Sequence, residues 1–183
     1  MEWIIPGTVL AARREDAAQI EGQFSSMFLA GGIVLSQVCS ITGLEAYAVQ
    51  NWVKRGFLTP PERKHYSLRQ LCRIININML KNVLPMERIV GLLSYINGDL
   101  DDESDDVIDD SALYFMFARL AAQDTVMHNH SGRDALIAKE LAAYREPVPG
   151  AKERVEKVLR IMLTAWASAQ LRQVTEQMLE DLT

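Results

Sequence analysis

Glycine and proline cut the stretch between Ser36 and Gly98 into short pieces. Gly43, Gly56, the pair Pro60-Pro61, Pro85 and Gly98 recur at intervals that leave room only for short helices. Ser36 is read as the N-cap of a helix over Gln37 to Ile41, which Gly43 stops. A second helix runs from Glu45 to Arg55 and ends at Gly56. Residues 59 to 66, TPPERKHY, cannot be helical because of the two prolines. Ser67 caps a third helix, SLRQLCRIININMLKN, whose Leu68, Leu71, Ile74, Ile75 and Met79 form an apolar stripe, with Asn82 expected as a left-handed cap. Pro85 opens a fourth helix, PMERIVGLLSYI, at its first position, and Gly98 closes it.

The flanks are helical too. Residues 16 to 29, DAAQIEGQFSSMFL, place Ile20, Phe24, Met27 and Phe28 on one face, with Asp16 in the first turn and Gly31-Gly32 as the stop. Pro6-Gly7 reads as a turn, and the first 15 residues carry no other clear signal. In the C-terminal third, Leu113, Phe117 and Leu120 share a face that Phe115 and Met116 broaden. SGRD at 131 to 134 has the form of a helix start, expected to run to Arg145 and to stop at EPVPG. A long pattern follows from Ala151 to Leu182. Val155, Leu159, Met162 and Trp166 begin its stripe, and Leu171, Val174, Met178 and Leu182 continue it. The drifting spacing suits a bundle helix, or one packed in a dimer, better than a long coiled coil. The expected fold class is all-α, with minimal β in a short wing.

Charge is spread unevenly. The net charge is −5, yet residues 36 to 98 hold eight Lys or Arg against three acids. Residues 99 to 110, DLDDESDDVIDD, hold eight acids and no base. Overall acidity is therefore a poor argument against nucleic acid, because the middle segment is locally basic. The acidic run is expected to be a solvated linker, since like charges at this density repel. Two other readings stay open: a mimic of DNA charge that covers the basic segment, and a Ca²⁺ loop. The run lacks the glycine and the final Glu of an EF-hand loop.

Residues 36 to 66 carry the functional reading. A short helix, a turn, a second helix and a proline-bearing loop ending in Arg63-Lys64-His65-Tyr66 follow one another. On the second helix Ala46, Val49, Trp52 and Val53 make the expected buried stripe. Tyr47, Gln50, Asn51 and Lys54 lie opposite, at i, i+3, i+4 and i+7. Asn and Gln amides can make paired hydrogen bonds to adenine, Tyr can reach a phosphate or a base edge, and Lys binds phosphate. Arg63 and Lys64, on a loop stiffened by proline, would meet the flanking backbone as a small wing. Arg55 joins this set of DNA-facing residues.

Residues 35 to 93 resemble the winged helix-turn-helix of the MerR family. The resemblance is carried by Thr42-Gly43-Leu44, Ala48-Val49-Gln50-Asn51-Trp52, Gly56-Phe57-Leu58 with Pro60, Lys64-His65-Tyr66-Ser67 and Pro85-Met86-Glu87-Arg88-Ile89. It departs at Gln50, where that family usually has a phosphate-binding Arg, and at Lys64, where its wing usually has Arg; both replace a rigid guanidinium fork. A longer stretch, from FLAGGIVLSQVCSITGL through DDSALYFMF, resembles an uncharacterised bacterial family, domain of unknown function eighteen-thirty-six. These resemblances imply a MerR-like head at 35–98 between an N-terminal segment at 1–34 and an acidic linker at 99–110. A helical region at 111–183 follows, dimerising through its helices as MerR-like regulators do.

The remaining chemistry is sparse. Cys39 and Cys72 fall on apolar helical positions and read as small buried hydrophobes. His128 and His130 would point about 200° apart on a helix, so they make no metal pair, and a helix-end role suits them better. No phosphate loop, H-E-x-x-H or G-x-S-x-G is present, so neither an enzyme nor a cofactor is expected. Tyr114, Phe115, Met116, Phe117, Met162 and Trp166 could line an effector pocket, though such residues are more often core. No run approaches the roughly 18 apolar residues of a membrane span, and no signal peptide is read, so the cytoplasm is the expected compartment. Two functions are weighed: a sequence-specific regulator of transcription on double-stranded DNA, and a non-catalytic protein-interaction module on a degenerate helix-turn-helix scaffold. The second would bind through apolar residues such as Trp3 and Tyr114.

Overall fold

A computed structural model describes residues 2–100, 102–123 and 130–182 of the chain. In order these form β1 (Glu2–Ile4), β2 (Ala11–Arg13), a 3-10 turn (Arg14–Gln19), α1 (Ile20–Met27) and β3 (Ile33–Val34). Then come α2 (Leu35–Thr42), α3 (Ala46–Lys54), β4 (His65–Tyr66), α4 (Leu68–Leu80) and α5 (Met86–Asn97). A second 3-10 turn (Glu103–Asp105), α6 (Asp110–Ala121), α7 (His130–Glu140) and α8 (Ala151–Glu180) complete the fold. The protein is mostly helical, as expected. Strand structure is not confined to the wing, because the N-terminal residues form an antiparallel hairpin pairing Trp3 with Ala12.

Helix α4 is the centre. Leu71 through Ile77 are all buried, as are Met79 and Leu80. The sequence shows a single stripe, but a helix buried nearly all round is a core helix. It packs most extensively on α6, with α2, α5 and α8 covering the rest. Its polar side chains bond neighbouring loops, as buried polar groups must. Asn78 Nδ2 donates to the carbonyls of Gly7 and Thr42, each at 2.9 Å. Arg73 Nε donates to Phe57 O at 3.0 Å. The buried residues form one cluster running from Trp3 to Trp166.

Several boundaries differ from expectation. The first helix begins later, at Ile20, after the 3-10 turn, and Met27 faces outward. Helix α2 begins two residues before Gln37, with Val34 as N-cap, because Gln37 Oε1 accepts the Val34 N–H at 2.9 Å; Ser36 lies inside the helix. Pro85 is the N-cap of α5 rather than its first residue. Asn82 is not left-handed, since among the described residues Arg63 and Lys64 are the non-glycine positions with positive φ. Helix α7 stops at Glu140, short of Arg145. His128 and the side chain of His130 lie outside the described residues.

The acidic run is not a freely solvated linker. Val107 and Ile108 are buried, and Asp110 is fully enclosed where α6 begins. Asn97 Nδ2 holds the Ile108 carbonyl at 2.8 Å. Two apolar residues and two α4 arginines give this stretch something to bury. Of the residues weighed as pocket or core, Tyr114, Phe115, Phe117, Met162 and Trp166 are core, the commoner of the two outcomes, and Met116 is half-buried: Phe24 packs edge-on against Phe115, and Phe117 against Trp166. Tyr114 Oη donates to Pro6 O at 3.0 Å, joining α6 to the N-terminal hairpin.

Candidate nucleic-acid interface

Helices α2 and α3 are joined by three residues. Gly43 takes φ 69°, the left-handed region that favours glycine, and a Cβ there would come within 2.7 Å of Val9 Cγ1. The turn therefore needs glycine twice over. Beyond it, Val49 and Trp52 anchor α3 in the core, with Val53 half-buried. Ala46, expected in the buried stripe, is exposed, because the helix starts there before it meets α2. Tyr47, Gln50, Asn51 and Lys54 all face outward, and Tyr47 is 72% exposed.

Arg55 behaves differently from the rest. Its guanidinium sits 3.3 Å from Glu87 on α5 and stacks 4.4 Å above the Phe57 ring. An exposed ion pair is worth about 0–1 kcal/mol and an exposed cation–π contact about 0.5–1 kcal/mol. Together these approach the value of one good base contact. Arg55 is thus biased toward α5 and away from the polar face of α3.

The expected wing is a tight turn: Glu62 bridges His65 antiparallel, and His65 N donates to Glu62 O at 2.8 Å across a two-residue tip. The strand that follows the turn, β4, pairs with the distant β3 through Ile33–Tyr66 and Val34–His65. Arg63 and Lys64 occupy that tip at φ 48° and 69°, both left-handed. Tight hairpins favour such a turn because its twist matches that of the strands. Gly32 lets the chain approach, since a Cβ there would lie 2.9 Å from Tyr66 O. Arg63, Lys64 and His65 are all exposed.

Gln70 fastens the wing to α4, and its part in this was not anticipated. Its Oε1 accepts from Ser67 N at 2.9 Å while Ser67 Oγ accepts from Gln70 N at 3.1 Å, a reciprocal cap. Its Nε2 lies within 3.1 Å of Thr59 O, Thr59 Oγ1 and Pro60 O. The S-x-x-Q spacing from Ser67 was the available signal.

The α3 face and the wing tip border one depression of about 490 Å³. Gln50 and Lys64 stand at it together, and Val34, Leu35, Val53 and Tyr66 supply apolar walls. Asp106, Asp109 and Asp110 lie elsewhere. Arg69 is 2.7 Å from Asp106 and within 3.9 Å of Asp109 and Asp110, while Arg73 Nη1 is 3.2 Å from Asp110. Among the described residues, these acids pair with α4 and not with Lys54, Arg63 or Lys64. Burial pushes the Asp110 carboxyl up against the opposing pull of Arg73. Burial likewise raises Asp106, to about 6, despite Arg69.

Cys72 is buried and Cys39 half-buried, both as free thiols. Burial holds both above the usual thiol range, which keeps them protonated and unreactive. Among the described residues no group of three or more His, Cys, Asp or Glu could hold a metal, and no helix is long and apolar enough to cross a membrane.

The fold and this surface define a mostly helical protein in which the outward face of α3 lies beside a basic turn. Residues 34–117 match the family model described as Domain of unknown function (DUF1836). The chain is 29% identical over 121 residues to the Uncharacterized protein YkrK of Bacillus subtilis (strain 168). That alignment covers 62% of this chain and 52% of the relative, so the chain spans about half the length of the curated protein it matches. No solved structure matches the chain.

Proposed function

We propose that the protein is a bacterial, cytoplasmic regulator of transcription that binds double-stranded DNA through a MerR-like winged helix-turn-helix. One observation carries this reading: Gln50, from the outward polar face of α3, and Lys64, from the basic turn, border the same depression. A helix flanked by a wing can enter a major groove while the wing meets the adjacent backbone. On this reading Tyr47, Gln50, Asn51 and Lys54 face base edges and phosphates. Arg63 and Lys64 neutralise the flanking strand, and Arg55 is held in reserve by Glu87.

Equilibrium binding to duplex DNA over a salt series tests it. Affinity should fall steeply as salt rises, because each neutralised phosphate releases counterions. Lys54→Ala and Lys64→Ala should each weaken binding to every sequence and flatten the salt slope by about one phosphate. No duplex binding by micromolar protein at low salt would sink the reading.

The second reading, a protein-interaction module, draws support from Gln50 and from the restraint on Arg55. Its partner surface cannot be Trp3 or Tyr114, which are 7% and 0% exposed. The exposed end of α8 is the better candidate, with Leu171, Val174 and Met178 each more than half exposed. We assign that stripe to a second copy of the chain, which suits a regulator reading two half-sites.

A further inference from the structure

The duplex-binding reading leaves open which base pairs are read, and the side chains on α3 bear on that. Guanine is read best by an arginine fork, and adenine by the amide of Asn or Gln. The one arginine adjoining α3 is Arg55, and it lies on Glu87 and the Phe57 ring. Glu45 could reach the amino group of cytosine, but it precedes α3 as its N-cap residue and so lies outside the middle of the helix. What α3 offers outward at its middle is two adjacent amides, Gln50 and Asn51, both exposed. Lys54 follows one turn later as a flexible point charge, suited to phosphate.

The depression beside Gln50 adds a second constraint. Gln50, Lys64 and Ser36 are its polar lining, and Val34, Leu35, Val53, Pro61 and the buried ring of Tyr66 make the rest of its walls. In the major groove of a duplex the thymine methyl is the apolar feature on the base edges. An amide that grips adenine N6 and N7 stands next to the methyl of the paired or neighbouring thymine.

We propose that α3 reads adenine–thymine pairs, Gln50 and Asn51 each gripping an adenine edge and the apolar depression receiving thymine methyls. This inference rests on the duplex-binding reading, and it excludes a guanine-centred operator under the middle of the helix.

The test uses the full chain. Bound duplexes are first selected from a random pool, and affinities are then measured on the enriched sequence and on altered versions of it. The expected core under α3 is adenine–thymine, and swapping one such pair for guanine–cytosine weakens binding roughly tenfold or more. Replacing adenine by 7-deazaadenine removes the N7 acceptor and should cost several-fold. Replacing thymine by deoxyuridine removes only the methyl and should also weaken binding. Both amides are exposed, so Gln50→Ala and Asn51→Ala leave the fold intact, as circular dichroism can verify. Each should erase the preference at one pair and leave the others. Glu87→Ala frees Arg55 and should raise the tolerance for a guanine. A guanine-rich core, or indifference to 7-deazaadenine, overturns the inference while leaving duplex binding standing. A loss on 7-deazaadenine with none on deoxyuridine overturns the methyl contact and assigns the depression to deoxyribose. Absence of any duplex binding overturns both readings together.

Discussion

Arg63 and Lys64 hold a conformation that their side chains resist. A left-handed residue with a Cβ costs about 1–2 kcal/mol relative to glycine, and two stand side by side. Asn-Gly is the pair such a turn prefers. The double change Arg63→Asn with Lys64→Gly should therefore stabilise the protein by about 1–2 kcal/mol in chemical denaturation. It should weaken duplex binding at the same time. A loss of stability would show that the basic side chains hold the turn, contrary to this account. The sequence revealed the basic pair but not the turn, because Arg-Lys carries none of the usual turn signals. Asn82 shows the converse: a residue tolerant of the left-handed region that does not occupy it. The outward set on α3 was legible from its 3.6-residue spacing. The diversion of Arg55 was not, because its partner Glu87 lies 32 residues away on another helix.

At the level of elements, the acidic run and α4 form a charged seam. Asp106 has its carboxyl raised from 3.8 to about 6, first by burial, further by Asp110 and Asp105, and against the pull of Arg69. The folded protein thus holds a proton there that the unfolded chain releases near 3.8. Rising pH through the window from 3.8 to about 6 removes stability, and above it the cost stays constant. Asp106→Asn removes the charge and keeps the shape. Its denaturation free energy should match wild type near the bottom of that window and exceed it at pH 7. A variant weaker than wild type at both pH values would mean that the ion pair to Arg69 outweighs the desolvation of the acid. Eight acids among twelve residues read as solvated from composition alone. What drew their end inward is the pair Val107 and Ile108, together with Arg69 and Arg73, of which Arg73 sits 37 residues before Asp110 in the chain and Arg69 still further back, but both directly beside it in space.

Across the whole molecule, α8 divides in two. One face of it is buried as far as Ala167, and from Leu171 onward every described residue is exposed. Leu171, Val174, Met178, Leu179 and Leu182 stand 56% to 81% exposed, more apolar surface than one helix end leaves bare without a use. Ending the chain after Gln170 should turn a dimer into a monomer by light scattering, with little loss of thermal stability. A wild-type chain that is already monomeric at tens of micromolar would end that assignment. The apolar stripe of α8 was plain in the sequence, but periodicity cannot say which part of a stripe meets its own core.

The hydrogen bond from Tyr114 to Pro6, across 108 residues, belongs to the same scale. With Asn78 holding Gly7 and Thr42, it makes α4 common property of the N-terminal hairpin, the wing-bearing helices and the C-terminal bundle. A helix so shared cannot travel with one part alone. Cut at Gly98, the segment from α2 to α5 would show water the Ile74 and Ile77 side chains that α6 and its neighbours now cover. A segment so embedded would have to be inherited whole, and natural fusions that keep α2 to α5 should keep α6 as well.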